Sequence, residues 1–250
     1  MTTLRTALFI AYKTLVHGNR STLILLVFIL SLSFLNLMFI TGILSGLTKS
    51  IEDAVITTTT GHISLKPQEK PTRKTLIQSQ DEIRASIETI PGIVATIRHY
   101  QIGASIGYDK DRDGKYKFIT AIVIGVDPEE EVQVLDTLEY MTSGQFIDAN
   151  DTEGIVLAAG LAGGTELPLE DLGGAKVGDK VQVTYPNGII KRYTVRGIYD
   201  IKFGAAALTA LISAREAEAV LSAHNSATQI LAKIDERNYS IDTITERVRN

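Results

Sequence analysis

Hydrophobic residues are concentrated in one uninterrupted run near the N-terminus. From Ser21 to Thr48 no residue is charged, and the densest part, Leu23 to Ile43, is 21 residues long. At about 1.5 Å per residue, a helix of this length crosses the roughly 30 Å hydrocarbon layer of a bilayer. The pattern predicts a transmembrane helix over residues 21–48. Four polar positions predict that one of its faces meets other helices: Ser31, Ser33, Asn36 and Thr41.

A cleaved signal peptide and a buried core helix are the alternatives to a permanent anchor. The hydrophobic part of a signal peptide has about 7–15 residues and ends at a small-residue cleavage site. This run is longer, and the segment Lys49-Ser50-Ile51-Glu52-Asp53 offers no such site. Core helices of globular domains rarely stay uncharged over this length. A permanent span is therefore favoured.

The charges beside the run predict its orientation. Arg5, Lys13 and Arg20 precede it without any acidic residue, whereas Lys49 is soon followed by Glu52 and Asp53. Because positive charge is retained in the cytoplasm, the N-terminus is predicted to be cytoplasmic and the chain after about residue 48 extracytoplasmic. Past residue 20 the chain has 22 basic and 29 acidic residues. That net charge of −7 argues against nucleic acid or anionic lipid as a partner of this part.

The first 20 residues carry a stripe of apolar positions. Leu4, Leu8, Ala11 and Leu15 recur at helical spacing, with Arg5 off the stripe. This spacing predicts a cytoplasmic or interfacial amphipathic helix over residues 1–20.

The remaining chain alternates short helical and strand patterns, which is typical of an α+β domain. Two capping boxes, Ser79–Glu82 and Ser213–Glu216, and a cap at Ser240 predict three helices. Strands are predicted over residues 61–67, 93–108, 116–126 and 207–212 and in the segment ATQILAKID. The clearest hairpin is Lys176–Asp200, which turns at Pro186-Asn187-Gly188. Gly154–Leu167 predicts a short strand and a short helix, but no Gly-Lys-Ser/Thr follows, so this is not a phosphate-binding loop.

Two catalytic or binding motifs overlap in the stretch GASIGYDKDRDGKY. Gly103 to Gly107 fits G-x-S-x-G, the turn that exposes the nucleophilic serine of hydrolases, with Ser105 as the nucleophile. That turn needs a helix after the serine, whereas a charged segment and a strand pattern follow here. The only histidine downstream is His224. The stretch is therefore predicted to be strand, turn and strand, and a membrane-anchored hydrolase is the weakest functional hypothesis.

The second motif is the beginning of a calcium loop. Asp109, Asp111 and Asp113 occupy the first three ligand positions, but the twelfth position is Thr120 instead of glutamate. The basic residues Lys110, Arg112, Lys115 and Lys117 are expected to neutralise the acids. A solvated hairpin tip is favoured, and a weak cation site stays open.

The amino-acid composition excludes several kinds of binding site. Cysteine is absent, so there is no disulfide framework and no thiolate zinc site. The histidines at 17, 62, 99 and 224 lack the spacing of a helical metal site. No catalytic, cofactor-binding or metal-binding residue is assigned, and no cofactor is expected.

Several fragments, in this order behind a first span, resemble the N-terminal half of MacB/FtsX-like ABC transporter permeases, a group that includes lipoprotein-releasing permeases. The fragments are TTTTGHISLKP, VIGVDP, GIVLAAGLA, KVGDKVQVTYPNG and YTVRGIYD. The resemblance covers nearly the whole chain. It implies a two-lobed α+β extracytoplasmic domain, with a porter-like lobe from residues 49–126 and 198–250. A smaller inserted β-rich lobe would be formed by residues 127–197.

The resemblance also implies a function and partners. The chain would be the N-terminal portion of a permease subunit in the plasma (inner) membrane, working in a transport or mechanotransmission complex. A separate cytoplasmic ATPase would hydrolyse ATP, so this chain is not expected to be an enzyme. The other implied partners are a second permease copy, a periplasmic adaptor or a lipoprotein cargo. Family members continue with three more spans, so a chain that ends at Asn250 is expected to be a piece or a shortened relative. The alternative is a single-span sensor or adaptor module.

Overall fold

The computed structural model describes residues 5–7, 9–10, 12–13, 20–67, 76–163, 170–201 and 204–249. The chain divides into two compact units, Met1–Glu52 and Asp53–Asn250. Residues 5–7, 9–10 and 12–13 are helical and exposed. The predicted amphipathic stripe of Leu4, Leu8, Ala11 and Leu15 lies outside the described residues, so its placement stays a prediction.

The apolar run forms helix α1, Arg20–Val55, which continues as a π-helical turn, Ile56–Thr60. Within the described part of the chain, this is the one helix that is long and apolar enough to cross a membrane. It extends past the predicted end at residue 48 because the chain from Lys49 to Thr60 contains neither glycine nor proline. Ser33 and Thr41 donate to the carbonyls of Ile29 and Leu37 in the same helix. Their predicted role in contacts with other helices stays a prediction.

The second unit is a mixed α+β domain, which confirms the predicted fold class. Its strands are β1 (Ile63–Leu65), β2 (Ile77–Gln78), β3 (Ile93–Tyr108), β4 (Lys117–Val126), β5 (Met141–Gly144), β6 (Gly154–Ala158), β7 (Lys180–Thr184), β8 (Ile190–Tyr199), β9 (Thr209–Ser213), β10 (Ser226–Ala227) and β11 (Gln229–Ile234). Its helices are α2 (Gln80–Glu88), α3 (Pro128–Val134), α4 (Ala159–Ala162), α5 (Ala214–Leu221) and α6 (Ile241–Arg249). Two 3-10 turns, Thr137–Tyr140 and Gly204–Leu208, complete the described elements.

Six strands pair in a closed ring. Strand β3 pairs with β4, β4 with β9, β9 with β6, β6 with β8, β8 with β7, and β7 again with β3. The pairings β4–β9 and β6–β8 are parallel, and the other four are antiparallel. Strand β5 extends the ring on β8, while β11 pairs with the first half of β3 and carries β1. Closure leaves these six strands with few open edges.

Alternation along the strands places one set of side chains inside the ring. In β3 the residues Ile102, Ala104, Ile106 and Tyr108 are buried, and in β7 the residues Val181 and Val183. Together with buried residues of β4, β6, β8 and β9 they form one hydrophobic core. The positions between them, such as Gly103 and Ser105, face outward. Packing into this core explains why apolar and polar residues alternate so strictly in the predicted hairpin of β7 and β8.

Of the two predicted capping boxes, the structure contains the serine cap of one but not of the other. Ser213 caps α5 as predicted, since its Oγ accepts the Glu216 amide hydrogen at 3.3 Å. Ser79, however, has φ 52° and makes no side-chain cap hydrogen bond, so this half of the prediction was wrong. The start of α2 is satisfied instead by Asn225, whose carbonyl accepts from Gln80 and whose side chain accepts from Asp81. The helix itself was predicted correctly.

Strands of both predicted lobes take part in the same ring. Strands β3, β4 and β9 belong to residues 49–126 and 198–250, and β6, β7 and all but the last two residues of β8 belong to residues 127–197. Their buried side chains contribute to one core. The division into a porter-like lobe and an inserted lobe stays a prediction.

Candidate functional site

The overlapping motifs of residues 103–116 form a strand and the tip of a hairpin. Ser105 lies inside β3, where it pairs with Thr120 of β4 and Thr184 of β7. The following residues continue the same strand to Tyr108, so no helix follows the serine. The backbone therefore lacks the turn that a nucleophile elbow requires, as predicted.

The carboxylates of the hairpin tip bind backbone amides of the tip itself. Asp109 accepts from the amides of Asp113 and Gly114 at 3.1 and 2.8 Å, and Asp113 accepts from the Lys115 amide at 2.9 Å. The Lys115 contacts lower the pKa of Asp113. Of the four basic residues expected to neutralise the acids, only Lys115 forms an ion pair at the tip, with Asp113. Lys117 pairs with Asp171 instead, so that expectation was correct for one residue.

The segment that follows α1 is held in the domain by backbone and side-chain contacts. Thr58 is buried and donates to the Ala54 carbonyl at 2.6 Å, and the Thr57 carbonyl accepts the Asp136 amide hydrogen at 2.9 Å. Gly61 then turns the chain with φ 59° and ψ −170°, a conformation that only glycine adopts readily. From there His62 and β1 pair with the neighbouring β11.

Behind this segment lies a buried polar pair. His99 Nε2 and Glu131 Oε2 are 2.7 Å apart, and both side chains are less than 5% exposed. The second Glu131 oxygen accepts from the Thr137 hydroxyl at 3.2 Å. Thr58, His99 and Glu131 are among the residues that line one cavity of about 30 Å³. We call Thr57, Thr58, His99, Glu131 and Thr137 the joint, because they link the end of the long helix to the core.

A second set of contacts holds helix α3, which carries Glu131. The neighbouring Glu130 accepts from Arg84 of α2 at 2.8 Å. Arg84 also donates to the Thr96 hydroxyl and carbonyl in β3. Asp127 caps α3 by accepting the Glu129 amide hydrogen at 3.0 Å. The acidic segment Asp127–Glu131 is thus anchored at three points, and the carboxylate of Glu131 is buried.

The hairpin of β7 and β8 is fastened to helix α5 by a buried network. Tyr193 donates to Glu216 Oε1 at 2.9 Å, and Tyr185 and Tyr193 share a 2.8 Å hydrogen bond between their hydroxyls. Lys191 approaches the same carboxylate at 3.0 Å. Burial, the neighbouring Tyr185 and Glu216 raise the pKa of Tyr193, so the tyrosine stays a hydrogen-bond donor.

An apolar cleft of about 680 Å³ opens beside this hairpin. Asn187 at the turn donates to the Val220 carbonyl of α5 at 2.7 Å, which fixes one wall of the cleft. The floor is the stretch of β3 around Gly103, where the ladder to β11 has ended and the ladder to β7 has not yet begun. The residues that line the cleft include Leu76, Ile102, Gly103, Ile122, Tyr185 and Val220. A site of this size and character suits an apolar group.

The structure brings together residues that the sequence analysis did not combine. His99 and Glu131 are 32 positions apart, so no local spacing in the sequence indicates that they pair. In the described ranges, no group of three or more histidine or carboxylate side chains is arranged to hold a metal ion. His62 instead contacts Glu236 at 3.2 Å, and His224 is exposed.

No protein-family model matches the sequence, and no curated protein matches it. Among solved structures, the chain is similar to the periplasmic region of MacB from Actinobacillus actinomycetemcomitans, with 12% identity, a TM-score of 0.47 and coverage of 74% of this chain and 81% of that chain. It is also similar to the extracellular domain of the ABC-type transporter YknZ from Gram-positive bacteria. The identity is again 12% and the TM-score 0.47, with 74% of this chain and 88% of that chain covered.

Proposed function

We propose that this chain is the membrane anchor and extracytoplasmic domain of a permease subunit in an ABC-type transporter or mechanotransmission complex. A separate cytoplasmic ATPase would drive it, and a second permease copy would complete the membrane part. The observation that carries the proposal is helix α1. Its residues 20–53 are uniformly exposed and mostly apolar, as expected of a span in lipid.

The ordered fragments of the sequence resemblance support the transporter assignment. The first of them, TTTTGHISLKP, covers the π-helical turn, Gly61 and β1. This fragment therefore coincides with the place where the chain leaves the long helix and enters the sheet. A protein that passes motion from a membrane helix to an outer domain needs a firm connection at this place.

The joint supplies such a connection in physical terms. The Thr57 carbonyl is bonded to Asp136, Thr58 is buried, and Glu131 lies between His99 and Thr137. Buried hydrogen bonds such as these resist displacement, because leaving a buried donor or acceptor unpaired costs about 1–3 kcal/mol. Movement of the segment at residues 57–60 would therefore be passed to α3 and β3.

Orientation in the membrane can be tested with single cysteines, because the natural chain has none. Lys13→Cys and Arg237→Cys both replace exposed residues, one before α1 and one in the domain. With a membrane-impermeant maleimide, Arg237→Cys is expected to react in intact spheroplasts and Lys13→Cys only after permeabilisation. The reverse pattern would contradict the proposed topology.

The transporter role itself can be tested by measuring association with the partner ATPase and its rate of ATP hydrolysis. An adjacent ATPase reading frame is expected, and its product should co-purify with this subunit in detergent. Joint variants that keep the fold, such as Thr58→Val, should change the ATP hydrolysis rate of the complex. As a matched control, Thr142→Val replaces an exposed threonine of β5 and should leave the rate unchanged. Failure to co-purify, or equal rates for both variants, would count against the proposal.

A membrane-anchored sensor or adaptor module is the second candidate. The apolar cleft beside Gly103 favours it, since such a cleft suits a ligand or a partner segment. In that case the neighbouring reading frame should encode a kinase or another signalling module instead of an ATPase.

A further inference from the structure

A second cleft, of about 440 Å³, lies at the opposite end of the outward face of β3 and β7. Its walls are the β3–β4 tip, the beginning of β7 and one residue of β8. Four basic side chains line it: Lys110, Arg112, Lys180 and Arg192. We call these four residues and the space between them the basic cleft.

The acidic residues of this cleft are occupied by other partners. Asp109 accepts from two backbone amides of the tip. Asp179 accepts from the Tyr108 hydroxyl at 2.7 Å and from the Lys176 amide at 2.9 Å. Burial and this bond to Asp179 raise the pKa of Tyr108 to about 12, which keeps its proton in place. Neither carboxylate is paired with a basic group of the cleft.

The four basic groups are exposed, and among the described residues none of them forms an ion pair. This contrasts with Lys115, Lys117, Lys191 and Arg196, which belong to the same strands or tip and are all paired. The chain beyond residue 20 has a net charge of −7. A concentration of unpaired positive charge on such a domain is complementary to an acidic ligand.

Apolar side chains continue the same face. Across the strands, Phe118 pairs with Gly107, Gly107 with Gln182, and Gln182 with Arg192. Because Gly107 has no side chain, the ring of Phe118 lies over it, and this ring is still 49% exposed. Ile190, two residues before Arg192 on the same face of β8, is 59% exposed.

We propose that the basic cleft and Phe118 bind an acidic peptide segment of a partner protein, one that carries an apolar residue beside its carboxylates. The basic groups come from the tip, β7 and β8, so they suit an extended chain with several carboxylates better than one compact anion. Gln182 and Tyr116 in the same walls offer hydrogen bonds to peptide groups. The net negative charge of the surrounding domain opposes nucleic acid.

The test uses the full chain in phosphatidylcholine nanodiscs and a short fluorescein-labelled peptide of repeated Glu-Glu-Phe, followed by fluorescence anisotropy. The double variant Lys180→Gln/Arg192→Gln is expected to weaken binding about tenfold, because two charge-assisted contacts are lost. The matched control Arg237→Gln/Arg247→Gln makes the same change of charge at exposed positions outside the cleft and should change affinity less than about twofold. All four residues are exposed, so folding is retained, which circular dichroism verifies.

The apolar part is tested separately. Phe118→Ser should weaken binding of the Glu-Glu-Phe peptide but not of a Glu-Glu-Ser peptide, and Val94→Ser, at another exposed apolar position, should weaken neither. Equal affinities of the two double variants would overturn the proposal. Displacement of the peptide by millimolar inorganic phosphate would reassign the cleft to a compact anion, and displacement by phosphatidylglycerol vesicles would reassign it to a lipid surface. Because binding is measured on the purified chain, these results do not depend on the transporter role.

Discussion

The imidazole of His99 and the carboxylate of Glu131 are joined by a 2.7 Å contact that is almost completely removed from solvent. Strand β3 contributes one residue and helix α3 the other, and Thr137 holds the second carboxylate oxygen. The contact therefore connects two elements that adjoin the segment after the long helix.

Removing one member of this pair is expected to leave the other buried without its partner. His99→Leu leaves the Glu131 carboxylate buried with only Thr137, and the loss of unfolding free energy should be about 3 kcal/mol. The double variant His99→Leu/Glu131→Leu should lose clearly less than the sum of the two single variants. Urea unfolding of the detergent-solubilised chain measures this, with the exposed Lys115→Gln as a control that should leave the midpoint unchanged. Additive single effects would contradict a coupled pair.

Gly61 is expected to tolerate no side chain. Its backbone angles are strained for other residues, so Gly61→Ala should lower the unfolding free energy by about 1–3 kcal/mol. Gly103→Ala is the control, since a Cβ at Gly103 would meet nothing within 4 Å and the residue lies in a strand. The control should change stability by less than about 0.5 kcal/mol. Thermal unfolding of both variants measures the two losses of stability. Equal losses would show that the backbone conformation at residue 61 does not require glycine.

Gly125 allows helix α5 to approach β4. A Cβ at Gly125 would overlap the Cβ of the buried Ala217, so Gly125→Ala should cost about 1–3 kcal/mol. Ala217→Gly should cost about 1 kcal/mol, because glycine is unfavourable inside a helix. The double variant Gly125→Ala/Ala217→Gly removes the overlap, and its unfolding free energy should exceed the value expected from the two single losses. Strict additivity would mean that the two residues do not limit this contact.

The Asp151–Arg196 ion pair predicts a dependence of stability on pH. Arg196 donates to Asp151 at 2.8 Å and holds the pKa of that carboxyl below its usual range. The native state therefore gains stability above the unfolded pKa of about 3.9, and this gain disappears as the pH falls through the native value. Because Arg196 is partly exposed, the gain is about 0.5–1 kcal/mol. Asp151→Asn should lower the melting temperature at pH 6 and much less at pH 3. Asp111→Asn, at an exposed tip residue, should show no such difference between the two pH values.

The tip carboxylates are expected not to respond to calcium. Asp109 and Asp113 already accept backbone hydrogen bonds of the tip. The melting temperature of the natural chain should therefore be nearly the same in calcium and in chelator. The joint replacement of Asp109, Asp111 and Asp113 by Asn should also be insensitive. A calcium-induced rise that this replacement removes would establish a cation site there.

Local patterns in the sequence determined the long apolar helix, the alternating hairpin of β7 and β8 and the Ser213 cap. Each of these depends on residues within a few positions of each other, where side-chain spacing and capping chemistry act directly. The same holds for the G-x-S-x-G stretch, since the β-branched and aromatic residues after it predict a strand.

The tertiary structure decided what depends on distant residues. The α2 cap predicted at Ser79 is supplied by Asn225, and the acidic segment after Asp127 buries Glu131 against His99. The ring closes because β7 pairs with both β3 and β8, and this pairing brings Lys180 and Arg192 into the same cleft as the tip residues Lys110 and Arg112. Local periodicity contains no information about which strands meet, because hydrogen-bond partners are chosen by packing of the whole core. The clefts and the joint are consequences of that choice.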